Sequence, residues 1–167
     1  MEDSLAPKGS LKGIVAGVAV GPERGTSKKQ VTSIDLKEAS GVLGDGHAGT
    51  QKQVSLVAME DIMHMNKTFH IQAAIGDFAE NIATRGIDLM ALSPGDQIQV
   101  GTAVLRVFCI GKSPEEMKNH TFSFKGHVLL PEKGLFCDVL KGGQIRTGDD
   151  IFVINQDSSI NHHESQP

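Results

Sequence analysis

Residues 41–56 read GVLGDGHAGTQKQVSL. Gly44, Gly46 and Gly49 crowd around Asp45 and His47, and the chain runs on into Gln53-Val54-Ser55-Leu56. Residues 53–58, QVSLVA, are short, apolar and rich in β-branched side chains, so they read as a strand. The glycine cluster is then the turn that delivers the chain into it. Asp is favoured in such turns because its carboxylate accepts hydrogen bonds from nearby backbone. Glycine also lets backbone N–H groups approach an anion closely. The residue chemistry alone leaves a plain turn and a turn that also lines a pocket both open.

The rest of the chain repeats this pattern of short apolar segments punctuated by glycine, of which there are 19. That favours a mainly β domain with a few short helices over a helical bundle. Residues 13–20, GIVAGVAV, read as a buried strand, 21–30 as a polar loop, and 31–37 as a half-exposed strand. Glu60 to Asn66 has helical spacing, with Ile62, Met63 and Met65 inward. Ala79 to Thr84 reads as a strand and Asp88 to Leu92 as a helical turn. GDQIQVGTAVLRVFCIG gives two strands joined at Gly101-Thr102. A long polar loop follows over 112–126, with a helical turn at 115–119. VLLPEKGLFCDVLKGG comes next, and GGQIRTGDDIFVI closes the domain with a turn and a last strand. The expected domain is 12–154, between a flexible N-terminus (1–11) and a polar, disordered tail (155–167).

Composition removes several functional classes. The net charge is −4, without the basic excess of a dedicated nucleic-acid binder. Two cysteines, Cys109 and Cys137, are too few for a disulfide framework and fit a reducing compartment. No run approaches the roughly 20 apolar residues of a membrane helix. The N-terminal MEDSLAPKGSLKG lacks an apolar signal core. The expected location is cytoplasmic, with no nucleic-acid or membrane partner. No GxxxxGK[ST], GxSxG or HExxH motif occurs.

GDGHAG followed by QVSL resembles the signature of MOSC domains, named for the C-terminal domain of molybdenum-cofactor sulfurases. AENIATRGIDL, LSPGDQIQVGTAVLRV and GLFCDVLKGGQIRTGDDI resemble further family segments in the same order, over roughly residues 12–154. The resemblance implies a β-barrel-like domain of the short stand-alone kind. It implies handling of the molybdenum cofactor (molybdopterin) or a related sulfur-bearing species. Reductase or sulfur-transferase activity, and a docking role toward a molybdoenzyme or its maturation proteins, stay open beside plain binding. Pyridoxal phosphate is not expected, because it belongs to a separate domain of longer relatives.

The cofactor-binding candidates that follow are Asp45, His47, Gln53, Ser55, Glu80, Asn81, Thr84, Arg85 and Lys112. His47 is also the candidate metal ligand, with a satisfied core histidine as the competing reading. Lys29 and Lys52 lie beside the motif segments and are candidates, with Arg85 and Lys112, for neutralising a phosphate. Each is otherwise a solvated surface charge. Asp45 alone is first a turn cap, and Glu80-Asn81 equally a hydrogen-bonding pair that fixes the barrel.

One departure bears on chemistry. Many relatives carry a cysteine shortly after the strand equivalent to LRVFCIG, in a Gly-Lys-x-Cys-like setting. Here the segment reads Gly111-Lys112-Ser113-Pro114, with Pro114 where that thiol stands. The remaining catalytic candidates are Cys109 and Ser113. Strand alternation puts Cys109 on one face with Leu105 and Val107, which predicts a core thiol. Cys137 has the same expectation.

Overall fold

The nine residues KGIVAGVAV form β1 (Lys12–Val20), the strand on which the sheet closes. A computed structural model describes residues 8–118 and 122–154. After β1 come β2 (Lys29–Val31), β3 (Ser33–Lys37), β4 (Gly41–Val42), β5 (Val54–Ala58) and α1 (Met59–Phe69). Then follow β6 (Ile82–Arg85), a single 3-10 turn (Leu89–Ala91), β7 (Gln97–Val100), β8 (Ala103–Ile110) and α2 (Pro114–Lys118). The chain ends with α3 (Leu130–Lys133), β9 (Leu135–Lys141), β10 (Gly143–Arg146) and β11 (Asp150–Val153). The tail at 155–167, residues 1–7 of the expected N-terminal segment, and Asn119 at the end of the expected helical turn lie outside the described residues.

The fold is mainly β, as expected. Strands run in the order β11-β7-β8-β9-β5-β6-β1, and β1 pairs back onto β11 to close a seven-stranded barrel. One edge of β1 serves β6. Its other edge is shared, with β11 on Lys12–Ile14 and β2 on Val18–Val20. Closure removes the open edges that a sheet of this size would otherwise expose. A second sheet, β10-β3-β4, covers part of the barrel. The expected strand over 31–37 is therefore split at Thr32, because β2 pairs within the barrel and β3 pairs with β10 in the small sheet.

Two apolar layers result. The barrel interior holds Val15, Leu56, Ile82, Ile98, Leu105, Cys137 and Ile151 among its buried side chains. A second layer lies outside β5, β6 and β9, where Val57, Ala83 and Phe136 pack under Ile62 of α1, Leu130 of α3 and Phe78. All five residues of β5 are buried. A strand covered on both faces loses the alternation that marks a half-exposed one, which is why QVSLVA is continuously apolar apart from its two polar positions.

Three local differences from expectation have physical causes. Strand β6 begins at Ile82 rather than Ala79, because Ala79 is left-handed (φ 74) and Glu80 and Asn81 are engaged by their side chains. Helix α1 runs on to Phe69 and ends at His70, which takes the left-handed cap (φ 55). Residues 128–143, given no element from sequence, supply α3 and β9. No helix among the described residues is long and apolar enough to cross a membrane.

Candidate functional site

The turn at 44–49 is built around Asp45. Its side chain is fully buried and accepts four hydrogen bonds. Lys28 Nζ donates to Oδ1 at 2.8 Å, the Gly21 N–H and Asn81 Nδ2 to Oδ1 at 3.1 Å each, and the His47 N–H to Oδ2 at 3.1 Å. His47 Nδ1 lies 3.7 Å from Oδ2. Burial alone would raise the carboxyl. His47, Lys28 and the Gly21 N–H outweigh it and hold the group well below the usual carboxylate range. Lys28, not Lys29, is the cation that the turn uses; Lys29 is exposed on β2.

The motif's glycines serve two purposes. Gly44 and Gly49 are left-handed (φ 86 and 83) with open space around them. Gly46 is needed for closeness: a Cβ there would lie 2.8 Å from the Glu23 carbonyl carbon and 2.9 Å from the Arg24 nitrogen. The turn is thus pressed against the loop that carries Arg24.

Behind it, Asn81 joins three elements. Its Nδ2 donates to the Ala19 carbonyl of β1 and to Asp45, its Oδ1 accepts from the Ser55 N–H of β5, and its own N–H donates to the Ser55 carbonyl. Glu80 is completely buried and accepts the N–H groups of Gly76 and Phe78. Burial raises its carboxyl to about 7; the two N–H groups oppose the shift and Asp77 adds to it. Gln53 accepts the Val139 N–H at 3.0 Å and ties β9 to the start of β5. Thr84 is buried, its hydroxyl without a hydrogen-bond partner among the described residues, and Arg85 is exposed beside Met63.

These residues frame a cleft of about 520 Å³ on the outer face of β5 and β9. Of the residues singled out in the sequence, His47, Lys52, Ser55 and Lys112 line it. Asp45, Gln53, Glu80 and Asn81 stand behind the wall as its scaffold, while Thr84 and Arg85 lie away from it. The cleft also takes Arg24, Thr50, Gln51 and Glu116, with Phe122, Leu130 and Phe136 as apolar walls. Thr50, Gln51 and Phe136 fall within the quoted segments without having been singled out, and no motif marks Arg24, Glu116, Phe122 or Leu130. Arg24 and Phe122 sit in loops whose approach to 44–52 is set only by the tertiary fold.

Charge in the cleft is mainly positive. Lys52 pairs with Glu116 and lies over the Phe136 ring, 4.8 Å from its centroid. Burial pushes the Lys112 ammonium down, and nearby Lys52 pushes it further.

The two catalytic candidates take other positions. Ser113 Oγ accepts the Glu116 N–H at 3.2 Å, and the Ser113 N–H donates to Glu116 Oε1 at 2.9 Å. That is a reciprocal capping box, and Pro114 is the first helical residue of α2. Ser113-Pro114-Glu115-Glu116 is therefore a helix start in place of a thiol. Cys109 departs from the alternation expected for it. Cys109 pairs with Phe136 while Val107 pairs with Cys137, so a bulge at Phe108 absorbs one residue. The bulge turns Cys109 out of the barrel interior, where Leu105 and Val107 remain, into the outer layer beside Phe136. It is half-buried, and burial raises its thiol against the pull of Lys52 and Lys112. Cys137 is fully buried, as expected, and burial pushes its thiol far up. Among the described residues, no three His, Cys, Asp or Glu side chains gather to hold a metal ion.

The chain is thus a closed seven-stranded barrel with a glycine turn and a cationic cleft on its outer face. A family model for the MOSC domain matches residues 44–152, and the chain is a member of that family, which is associated with molybdenum-cofactor-related function. Solved structures agree on the fold. The YUAD protein from Bacillus subtilis is similar with a TM-score of 0.65 at 19% identity, over 86% of this chain and 96% of that one. YiiM from Geobacillus stearothermophilus gives 0.64 at 17%, over 92% and 86%. YiiM from Escherichia coli gives 0.58 at 18%, over 85% and 70%. No curated protein matches the chain.

Proposed function

We propose that the cleft binds the molybdenum cofactor or a closely related phosphorylated, sulfur-bearing pterin. The observation that carries this reading is the composition of the cleft: Arg24, Lys52 and Lys112 beside an apolar wall of Phe122, Leu130 and Phe136. The residues fit such a group. The cations suit a phosphate, His47 and Ser55 offer polar partners for ring or oxo atoms, and the aromatic wall suits a flat ring. A volume of about 520 Å³ is ample for a small cofactor. When bound, the cofactor would bring its own metal and dithiolene sulfurs. The chain contributes binding, orientation and partial exclusion of water.

Binding is favoured over sulfur transfer by the state of the thiols. Nucleophilic sulfur chemistry needs a thiolate with a lowered pKa. Cys109 is shifted the other way and does not line the cleft. The test is to purify the protein from a host that makes the cofactor and to assay molybdenum and oxidised pterin. Wild type should carry pterin in a fixed ratio to protein, and Lys112→Ala should lose about tenfold or more in affinity. Absence of pterin, even after cofactor is added to folded protein, overturns the reading.

A further inference from the structure

A second cleft, of about 480 Å³, lies between α1 and the segment leading into α3. One wall is Met65 and Phe69 of α1, and the facing wall is Val128 and Leu129. Phe69 stacks on His127, with ring centroids 4.1 Å apart and an angle of 26°. Phe69 nevertheless keeps 45% of its surface exposed, and both rings line the cleft. None of the residues lining this cleft lines the first one.

Asp61 supplies the polar end. It lies in the first turn of α1 and is half-buried in the cleft wall. Its carboxylate has no hydrogen bond or ion pair among the described residues. Lys133 of α3 and His64 of α1 act on it only at a distance, against Glu60 and Asp88. Burial raises this carboxyl, the sign of an acid stripped of water without a partner in exchange. Among the acidic and lysine side chains of the lining, Asp61 and Glu132 stand against Lys133 alone. The first cleft has the opposite balance.

We infer that this cleft is a separate binding site for a small organic cation with a flat apolar body, such as an aryl amidinium or an arylalkyl ammonium. The body would lie on the Phe69–His127 face, where a cation also gains from the ring quadrupole. The N–H groups would reach the Asp61 carboxylate, and a charge-assisted pair of that kind favours planar, two-pronged donors. A carboxylate or phosphate ligand would meet Asp61 and Glu132 as like charges, which separates this site in chemistry from the first cleft.

Three probes of one shape test the inference on the unaltered protein: benzamidine, benzamide and benzoate, titrated while backbone amide shifts are followed by NMR. Benzamidine should shift amides at 61–69 and 126–133. Benzamide should bind there about tenfold or more weakly, and benzoate weaker still. Asp61→Asn should lower benzamidine affinity by a similar factor, and Phe69→Ala should lower affinity for benzamidine and benzamide alike. Lys112→Ala, in the other cleft, should leave benzamidine binding unchanged. Equal affinity for benzamide and benzamidine, shifts confined to 47–52 and 112–116, or an unchanged Asp61→Asn would each overturn the inference. If Asp61→Asn does not fold, the comparison of probes on wild type decides.

Discussion

Lys28 and Asp45 form an ion pair at 2.8 Å with both side chains almost wholly excluded from water, at 1% and 0% exposure. The pair joins the loop before β2 to the motif turn, and Asn81 ties it to the barrel wall. Breaking one half of such a pair leaves an uncompensated buried charge, at a cost of about 3–5 kcal/mol. Asp45→Ala should therefore destabilise the fold by that order in chemical denaturation, while Lys29→Ala should change it little. The acid limb follows by linkage. The folded-state pKa of Asp45 lies below its ordinary 3.8, so its contribution is present above that value and is lost as pH falls through and below it. Asp45→Asn should be less stable near neutrality and lose less on acidification.

Glu80 moves stability in the opposite direction. Its folded carboxyl sits at about 7 against an ordinary 4.5, chiefly through burial. The folded state holds the proton more tightly, so the contribution is complete below about 4.5 and is lost as pH rises through about 7. The loss across this window is on the order of 2–3 kcal/mol. Stability measured from pH 5 to 8 should fall for wild type and be flatter for Glu80→Gln. Carbon NMR of the labelled carboxyl would show the titration directly, and a midpoint near 4 would refute the assignment.

The motif glycines should separate by experiment. Gly46→Ala drives a Cβ into the backbone of residues 22–24. Overpacking of this kind costs about 1–3 kcal/mol, and here it also displaces the loop bearing Arg24. Gly44→Ala and Gly49→Ala meet no neighbour and bear only the left-handed backbone cost of about 1–2 kcal/mol. All three should lower stability in thermal melts, but Gly46→Ala alone should also weaken pterin binding.

The barrel was legible because its signals are local. Short apolar runs, turn glycines and the Gly101-Thr102 hairpin mark β1, β5, β7 and β8 from sequence. The site was legible only in part. QVSL and GDGHAG point to the right region, yet parity does not reveal which residues face the cleft and which stand behind it. Cys109 shows the reason: a single bulge at Phe108 reverses the face on which it lies. Ser113 shows another. Its capping box with Glu116 is written in Ser-Pro-Glu-Glu, and it starts α2 at Pro114, one residue before the helical turn expected at 115–119. Lys28 and Lys29 are adjacent and chemically alike, and only the three-dimensional path of the loop selects Lys28 for Asp45.

The thiols give the sharpest test of the binding-only reading. Cys137 is fully buried inside the barrel and should react with iodoacetamide only after unfolding. Cys109, turned outward but half-buried with its thiol shifted up, should react in the folded protein more slowly than an unstructured cysteine at the same pH. Lys52→Ala and Lys112→Ala should slow it further, because both cations favour the thiolate. Cys109→Ser should leave pterin content unchanged. Fast labelling of Cys109 at neutral pH, together with loss of pterin in Cys109→Ser, would instead place the thiol at the ligand and return sulfur transfer to the leading position.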